Sequence, residues 1–383
     1  MQKREQFLPF ARPLIGDDEI HEVIDSLKSD WLTRGPKTGH FEEKFKKYIR
    51  CEHAMAVSSC TAGLHLALAA AGIGPGDEVI TSPLTFCSTV NVIVHVGATP
   101  VFADIDPQTL NINPEEIEKK ISPRTKAIIA VHYAGQPCDM DAINKIAGSH
   151  NLLVIEDAAH AIGARYKGKM VGTLGDIASF SFYATKNLTT GEGGMVTTDN
   201  DELAEKIRVL SLHGISRDAW KRYSAEGSWY YEVLYPGFKY NMTDIEAALG
   251  IHQLSKVEWW RELREEYAAY YDREFAGIGW IRLPGVIDGA VHGRHLYVIM
   301  LEDRAPVGRD ELIKEMGRMN VGTSVHFIPV HLHPYYRKTF GYGEGMLPVT
   351  EDVFKRIVSL PLYPAMAEED LRYVVDVVKG IVG

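Results

Sequence analysis

Three short segments carry the side chains best suited to chemistry. The first is Ser58-Ser59-Cys60-Thr61-Ala62-Gly63-Leu64, where an apolar strand runs into a turn of small residues and then a helix. Free N–H groups and the dipole at such a helix start suit a phosphate or another anion. A plain capped helix with Thr61 as N-cap fits the same residues. The second is Val154-Ile155-Glu156-Asp157-Ala158-Ala159-His160, two acids and a histidine after an apolar strand, at the edge where α/β proteins place ligands. A carboxylate there can hold a positively charged ring nitrogen, and a histidine can orient the acid or a phenolic oxygen. A helix-capping Asp157 and a packed His160 are the plainer reading. The third runs from Ser179-Phe180-Ser181-Phe182-Tyr183-Ala184-Thr185-Lys186 to Gly191-Glu192-Gly193-Gly194-Met195. Lysine is ordinarily a solvated surface group. Lys186 instead lies between an aromatic-rich strand and a glycine-dense turn, where a nearby cation or desolvation lowers the pKa and makes the amine a nucleophile.

The elements that must position these residues are legible in the hydrophobic pattern. From about residue 52 to 213, short β-rich runs alternate with helical stretches, the pattern of an α/β fold with a mostly parallel sheet. Seven strands are predicted: Ala54–Ser58, Glu78–Ser82, Thr99–Ala103, Lys126–His132, Leu152–Glu156, Ile177–Phe182 and Gly194–Thr198. Predicted helices between them include Ala62–Ala71, Thr85–Val96, Pro114–Ile121 and Asp139–His150. The loop Gly72-Ile73-Gly74-Pro75-Gly76 leads into a strand, whereas a dinucleotide fingerprint must leave one, so it reads as a helix-to-strand turn. A long charged helix from Thr243 to about Phe275 then links two domains, 1–250 and 251–383. Strands His295–Leu301 and Gly322–His326 and a last helix Glu368–Val382 make the second domain a smaller α+β unit.

Composition narrows the function classes. The chain has 383 residues, 45% hydrophobic and 24% charged, with a formal net charge of −10. That describes an ordinary folded protein of two or three domains. The basic residues form no stripe, which argues against nucleic acid as a partner. Neither a signal peptide nor a run of eighteen apolar residues is present, so no membrane is implied and the reading is cytoplasmic. Cys51, Cys60, Cys87 and Cys138 lack CxxC or finger spacing, which suits buried thiols in a reducing compartment. His331 and His333 could share a strand face, but without an acid or cysteine at ligand spacing no metal is assigned.

Taken in order, the three segments resemble the DegT/StrS family of nucleotide-sugar aminotransferases, which depend on pyridoxal 5′-phosphate (PLP) and have fold type I. The resemblance runs from Trp31-Leu32-Thr33-Arg34-Gly35-Pro36 to Ser359-Leu360-Pro361-Leu362-Tyr363. It implies a seven-stranded, mostly parallel sheet flanked by helices, plus the smaller C-terminal unit. It also implies Lys186 as the Schiff-base lysine, Asp157 on the pyridinium nitrogen and His160 beside the phenolic oxygen. Thr61, Ala62 and Ser181 would hold the phosphate, and Phe86 would lie against the cofactor face. The segment Gly237-Phe238-Lys239-Tyr240-Asn241-Met242-Thr243-Asp244 resembles one that reaches into a neighbouring subunit, with Asn241 on the phosphate, which implies a homodimer. Ala184 stands where relatives often have proline. A family variant with histidine in place of the lysine is a sugar dehydratase, and Lys186 argues against that outcome.

The same resemblance gives a lean on substrate. Leu212–Trp220 and Tyr235–Asn241 look most like the subgroup that aminates C4 of UDP-linked 4-keto-6-deoxy sugars, with glutamate as donor, for surface polysaccharide or glycan synthesis. A C3 enzyme acting on a dTDP-3-keto sugar, a non-catalytic PLP-binding regulator and a different PLP lyase remain as alternatives. Trp31, Arg217 and His326 are the candidate sugar contacts, Arg217 fitting either an anion contact or a surface salt bridge.

Overall fold

The computed structural model describes residues 2–216 and 230–383. Its central sheet is built from β1 (His53–Val57), β2 (Glu78–Thr81), β3 (Thr99–Phe102), β4 (Thr125–Val131) and β5 (Leu153–Asp157). After the short hairpin of β6 (Arg165–Tyr166) and β7 (Lys169–Met170) come β8 (Ile177–Ser181) and β9 (Gly194–Thr198), giving the order β1-β9-β8-β5-β4-β2-β3. The pairs β2–β3, β2–β4, β4–β5 and β5–β8 are parallel, and β9 runs antiparallel between β8 and β1. The seven predicted strands are these seven. They were readable because a parallel sheet covered on both faces demands near-continuous apolar runs.

Both faces are covered by helices. On one, Phe41 and Phe45 from the helix Pro36–Ile49 pack with Phe180, Phe182 and Ile251. Phe45 meets Phe180 at 5.1 Å and Phe182 at 5.6 Å edge-on, contacts worth about 0.5–1.5 kcal/mol each beyond burial. On the other, the helices Cys60–Ala70, Cys87–His95 and Asp201–Leu210 close over Met55, Val57, Ile155 and Val196.

The helix Asp244–Phe275 joins this body to a second core. At its start Thr243 Oγ accepts the Glu246 N–H and the Glu246 carboxylate accepts the Thr243 N–H, a reciprocal cap. Ala247, Ile251 and Leu254 belong to the first core, whereas Ala268, Tyr271 and Phe275 belong to the second. At 1.5 Å per residue the helix is about 48 Å long, enough to enter both. In the second core lie β10 (Ile281–Arg282), β12 (Tyr297–Leu301) and β13 (Ile357–Leu360), an antiparallel sheet under the helices Arg309–Arg318 and Glu368–Val382. The short β11 (Ala290–Val291) pairs instead with β6.

Two features differ from the sequence reading. Gly322–His326 is no strand: Val321 bridges Leu8 and Ser324 bridges Ser359, so the run changes partner within three residues. The N-terminal segment, grouped with residues 1–250, inserts Leu8 into the second core and pairs Arg4 with Asp370. Among the described residues no helix is long and apolar enough to cross a membrane.

Asp244 ties the first elements together. Its buried carboxylate accepts from Gly35 N at 2.8 Å, Lys37 N at 3.0 Å, Thr38 N at 2.9 Å and Thr38 Oγ1 at 2.6 Å, capping a helix distant in sequence. Asp244→Ala should lower the unfolding free energy by about 2 kcal/mol, because the buried Thr38 N–H and hydroxyl and the part-buried Gly35 and Lys37 N–H groups lose their acceptor; urea denaturation checks this.

Candidate active site

The two acids at the end of β5 point to opposite sides of the sheet, as the strand period requires. Glu156 is fully buried and accepts from Leu174 N and Gly175 N at 2.8 Å and from Gly172 N at 3.0 Å. His132 Nε2 lies 2.9 Å from it, and Cys138 N donates to His132 Nδ1 at 3.0 Å, so Nε2 carries the proton. Glu156 is thus an anchor of the sheet. Asp157 is 4% exposed and faces a cavity of about 520 Å³. Thr89 Oγ1 donates to it at 2.7 Å, Thr85 in turn lies 2.8 Å from Thr89, and Ala159 N donates at 3.2 Å. Among the described residues no lysine or arginine forms an ion pair with Asp157. A buried carboxylate held only by neutral donors is matched by a cation delivered from the cavity side.

The helix Cys60–Ala70 reaches the same cavity with its N-terminus. Its N-cap is Ser59, whose Oγ accepts the Ala62 N–H at 3.0 Å, and not Thr61 as the sequence suggested. The cap sits one residue before the first helical position, which here is Cys60, so Thr61 is left inside the first turn. The N–H groups of Cys60 and Thr61 precede any intrahelical acceptor and suit an anion. Gly63 permits the close seating of this helix on the sheet: a Cβ there would lie 2.2 Å from Ser179 Oγ and 2.9 Å from Val196 Cγ2.

Lys186 follows β8 in a turn closed by its own N–H donating to Tyr183 O at 2.9 Å, and its side chain lines the cavity. Burial pulls its pKa down to about 8, opposed by the nearby Cys60 thiol and Asp157 carboxylate. Around it stand His160, His295 and His326. Burial, and then the charge of Lys186, hold all three below the usual histidine range, His326 at about 4. His160 Nδ1 is buried without a hydrogen-bond partner among the described residues, and its ring lies 5.9 Å from Phe327 in a stacked arrangement. Phe327 also faces Phe86, itself 58% exposed, at 5.8 Å.

The cavity therefore brings together Thr61, Phe86, Asp157, His160, Ser181, Lys186 and His326. Ala62 contributes to the same helix turn, with its N–H already engaged by Ser59. Asn241 does not line this cavity: its side chain accepts from Lys239 Nζ and donates to Met242 O. Trp31 is exposed and also outside it, and Arg217 lies outside the described residues. Sequence reasoning missed His295, Phe327, Thr85 and Phe10, all of which line the cavity. Only Thr85 and Phe327, flanking Phe86 and His326 in sequence, stood close enough to a named residue to be found. Of the other histidines, His331 turns away to Glu351 at 3.1 Å.

The donor set fits PLP: an anion-ready helix start for its phosphate, a cation-less buried carboxylate for its ring nitrogen, an orphaned imidazole nitrogen and a lysine of lowered pKa. Comparison with known proteins points the same way. Residues 13–379 match the DegT/DnrJ/EryC1/StrS aminotransferase family. The chain is 56% identical over 384 residues to the spore coat polysaccharide biosynthesis protein SpsC of Bacillus subtilis, covering 100% of this chain and 99% of that one. Among solved structures it is similar to the PLP form of the putative sugar aminotransferase Spr1654 from Streptococcus pneumoniae, with a TM-score of 0.91, 33% identity and 98% of each chain covered. It is also similar to Helicobacter pylori PseC, an aminotransferase involved in the biosynthesis of pseudoaminic acid, with a TM-score of 0.91, 29% identity and 99% of each chain covered.

A lysine of pKa about 8 is neutral in roughly a tenth of molecules at pH 7, against fewer than about one in a thousand for an ordinary lysine. In cofactor-free protein, Lys186 should accordingly be modified by an amine-reactive reagent faster than surface lysines at pH 7, with a rate that levels off above about pH 8. Peptide mapping across a pH series measures both.

Proposed function

Because this chain belongs to the DegT/DnrJ/EryC1/StrS aminotransferase family and is a PLP-dependent enzyme, we propose that it transfers an amino group from glutamate to C4 of a UDP-linked 4-keto-6-deoxy sugar. The product would be a 4-amino sugar nucleotide for polysaccharide or glycan synthesis in the cytoplasm. The observation that carries the aminotransferase reading is the juxtaposition of Asp157, buried without a cation, and Lys186, of lowered pKa, across one cavity. The position on the sugar rests on the likeness of Leu212–Trp220 and Tyr235–Asn241 to the C4 subgroup. The link to polysaccharide draws on SpsC.

Bound PLP supplies an electron sink for the carbon that loses a proton. In this reading Lys186 would hold the cofactor, and its neutral amine, when free, would take a proton from the donor carbon and later return one to the sugar carbon. Asp157, oriented by Thr89 and Ala159, would face the ring nitrogen and favour its protonated form. Cys60 and Thr61 N–H groups with Thr61 and Ser181 hydroxyls hold the phosphate. His160 would offer a nitrogen to the phenolic oxygen, and Phe86 and Phe327 would border the ring. His326 would contact the sugar from within the cavity, and Trp31, outside the cavity of its own chain, would do so only from the other subunit.

The active unit is a homodimer in which Asn241 reaches the phosphate of the other subunit. Its absence from the cavity of its own chain supports this, as does the outward row Ile20, Ile24 and Leu27 on the helix Asp17–Lys28, each at least 40% exposed.

Protein loaded with PLP should show the visible absorption of lysine-bound cofactor, lose it on adding glutamate, and regain it on adding the UDP-4-keto-6-deoxy sugar; Lys186→Ala should show none of these changes. Absorption that ignores glutamate would reopen the amino donor, and recovery only with a dTDP-3-keto sugar would move the reaction to C3. For the dimer, Lys186→Ala and Asn241→Ala proteins, each weakly active alone, should recover up to about a quarter of wild-type activity after mixing and subunit exchange, since only one site of each hybrid is intact. No recovery beyond the sum of the two would place Asn241 in its own chain's site.

A further inference from the structure

Asn187, next in sequence to Lys186, crosses from the turn after β8 to the segment that enters β12. Its Nδ2 donates to Gly293 O at 2.6 Å, and its Oδ1 lies 3.1 Å from His295 Nδ1. A carbonyl can only accept, so the Gly293 contact fixes which end of the amide is nitrogen. The oxygen is then left for the imidazole, and His295 must carry its proton on Nδ1. Nε2 remains as a lone pair, without a partner among the described residues, on a side chain that lines the cavity together with Lys186.

The surroundings hold His295 in place and discourage a second proton on it. His295 N and Leu296 N both donate to Ala134 O, at 3.0 and 3.2 Å. Behind them the buried Arg264 donates to Leu362 O at 2.6 Å and to Arg294 O at 3.4 Å, and no carboxylate pairs with it among the described residues. The charged and titratable groups facing His295 are Lys186, His160, Arg264 and His326. Cys60 and Asp157 also act on Lys186. His295 thus feels the charges of Lys186 and Arg264, and no carboxylate pairs with it among the described residues. Burial and these neighbours hold it well below the usual histidine range. An aspartate at position 187 would draw a proton onto the ring; an amide cannot.

We infer that Asn187 is a positioning residue that locks His295 as a neutral imidazole, leaving Nε2 as an acceptor on the cavity wall toward which the Lys186 ammonium turns once an incoming amine has displaced it from the cofactor. The need for such an acceptor follows from charge. The charge of Asp157 acts on Lys186, and an ammonium drawn to it would compete for the charge that the ring nitrogen of the cofactor requires. A neutral base on the other side gives the freed ammonium a partner while leaving its pKa low. This inference rests on Lys186 being the cofactor lysine.

The test has two arms. In the first, side-chain ¹⁵N spectra of histidine-labelled protein carrying the aminated cofactor, where Lys186 is free, are assigned with His295→Phe. They should show His295 protonated on Nδ1 and neutral between about pH 6 and 8. Asn187→Asp should render it cationic over the same range. In the second, the pH midpoint for capture of PLP by Lys186, read from the visible absorption of the bound cofactor, should fall by about one unit in both His295→Phe and Asn187→Ala, which remove or disorder the acceptor. A wild-type His295 protonated on Nε2, or a midpoint unmoved in His295→Phe, overturns the inference. If Asn187→Ala fails to fold, the wild-type tautomer and the His295→Phe midpoint decide it alone. Wild-type protein that captures no PLP would overturn the reading of Lys186 instead, and the tautomer, measured then without cofactor, would still judge Asn187.

Discussion

Everything around the cavity depends on two adjacent carboxylates at the end of one buried strand. A strand must send Glu156 and Asp157 to opposite faces, and neither face there offers water. Each acid therefore needs its own set of donors, and those donors dictate the neighbouring elements. On the Glu156 side, the chain from Gly172 to Gly175 must curl so that three of its N–H groups converge, and His132 at the end of β4 must hold one tautomer. On the Asp157 side, the helix Cys87–His95 must bring Thr89 to the carboxylate. Asp157 is thereby aimed without being neutralised. Had a lysine or arginine taken that place, the acid would be satisfied internally and would have nothing to offer a ligand.

The electrostatics of the cavity follow from that restraint. The buried Asp157 carboxylate, without an ion-pair partner among the described residues, lines the cavity together with Lys186, His160, His295 and His326, all in a space closed enough to penalise charge. The cheapest arrangement keeps the imidazoles neutral and lowers the lysine pKa, which is the direction found for all four groups. The same desolvation raises the Cys60 thiol, whose neighbour Asp157 adds to the effect, so this cysteine is an inert wall despite its place in the anion-binding turn. Burial alone thus sorts groups of similar reactivity into a nucleophile, neutral hydrogen-bonding partners and a bystander.

Much of this was legible in the sequence, and the division between what was and was not has a physical basis. The strands that lead into Thr61 and Lys186 and that end in Asp157 are largely apolar runs, and each of these residues sits within a few positions of such a run, so local pattern located both. Thr61 was misread as the cap because Ser58, Ser59 and Thr61 are all competent acceptors. Only the actual turn, with Ser59 extended at φ −169°, shows which of them reaches back to an N–H. Gly322–His326 looked like a strand because alternation reports a side-chain period, whereas pairing depends on partners elsewhere, here Leu8 and Ser359. His295 carried no local signal: its place is set by Asn187, 108 residues earlier, and by a buried arginine on another element.

That long-range dependence also divides the site by origin. Thr61, Asp157, Ser181 and Lys186 come from the seven-stranded sheet, the turn after β8 and the helix Cys60–Ala70. His295, His326, Phe327 and Phe10 come from segments associated with the second sheet or the N-terminal stretch. A change at His326 or Phe10 would reshape the outer wall while leaving the Asp157–Thr89–Thr85 chain untouched, since no hydrogen bond connects the two groups among the described residues. Asn187 crosses that division, binding the turn of Lys186 to the segment that leads into β12. A displacement of the second core would therefore act through this amide on the turn that carries Lys186, whereas the hydrogen bonds of the Asp157 side chain come from Cys60, Thr89 and Ala159, all outside that core.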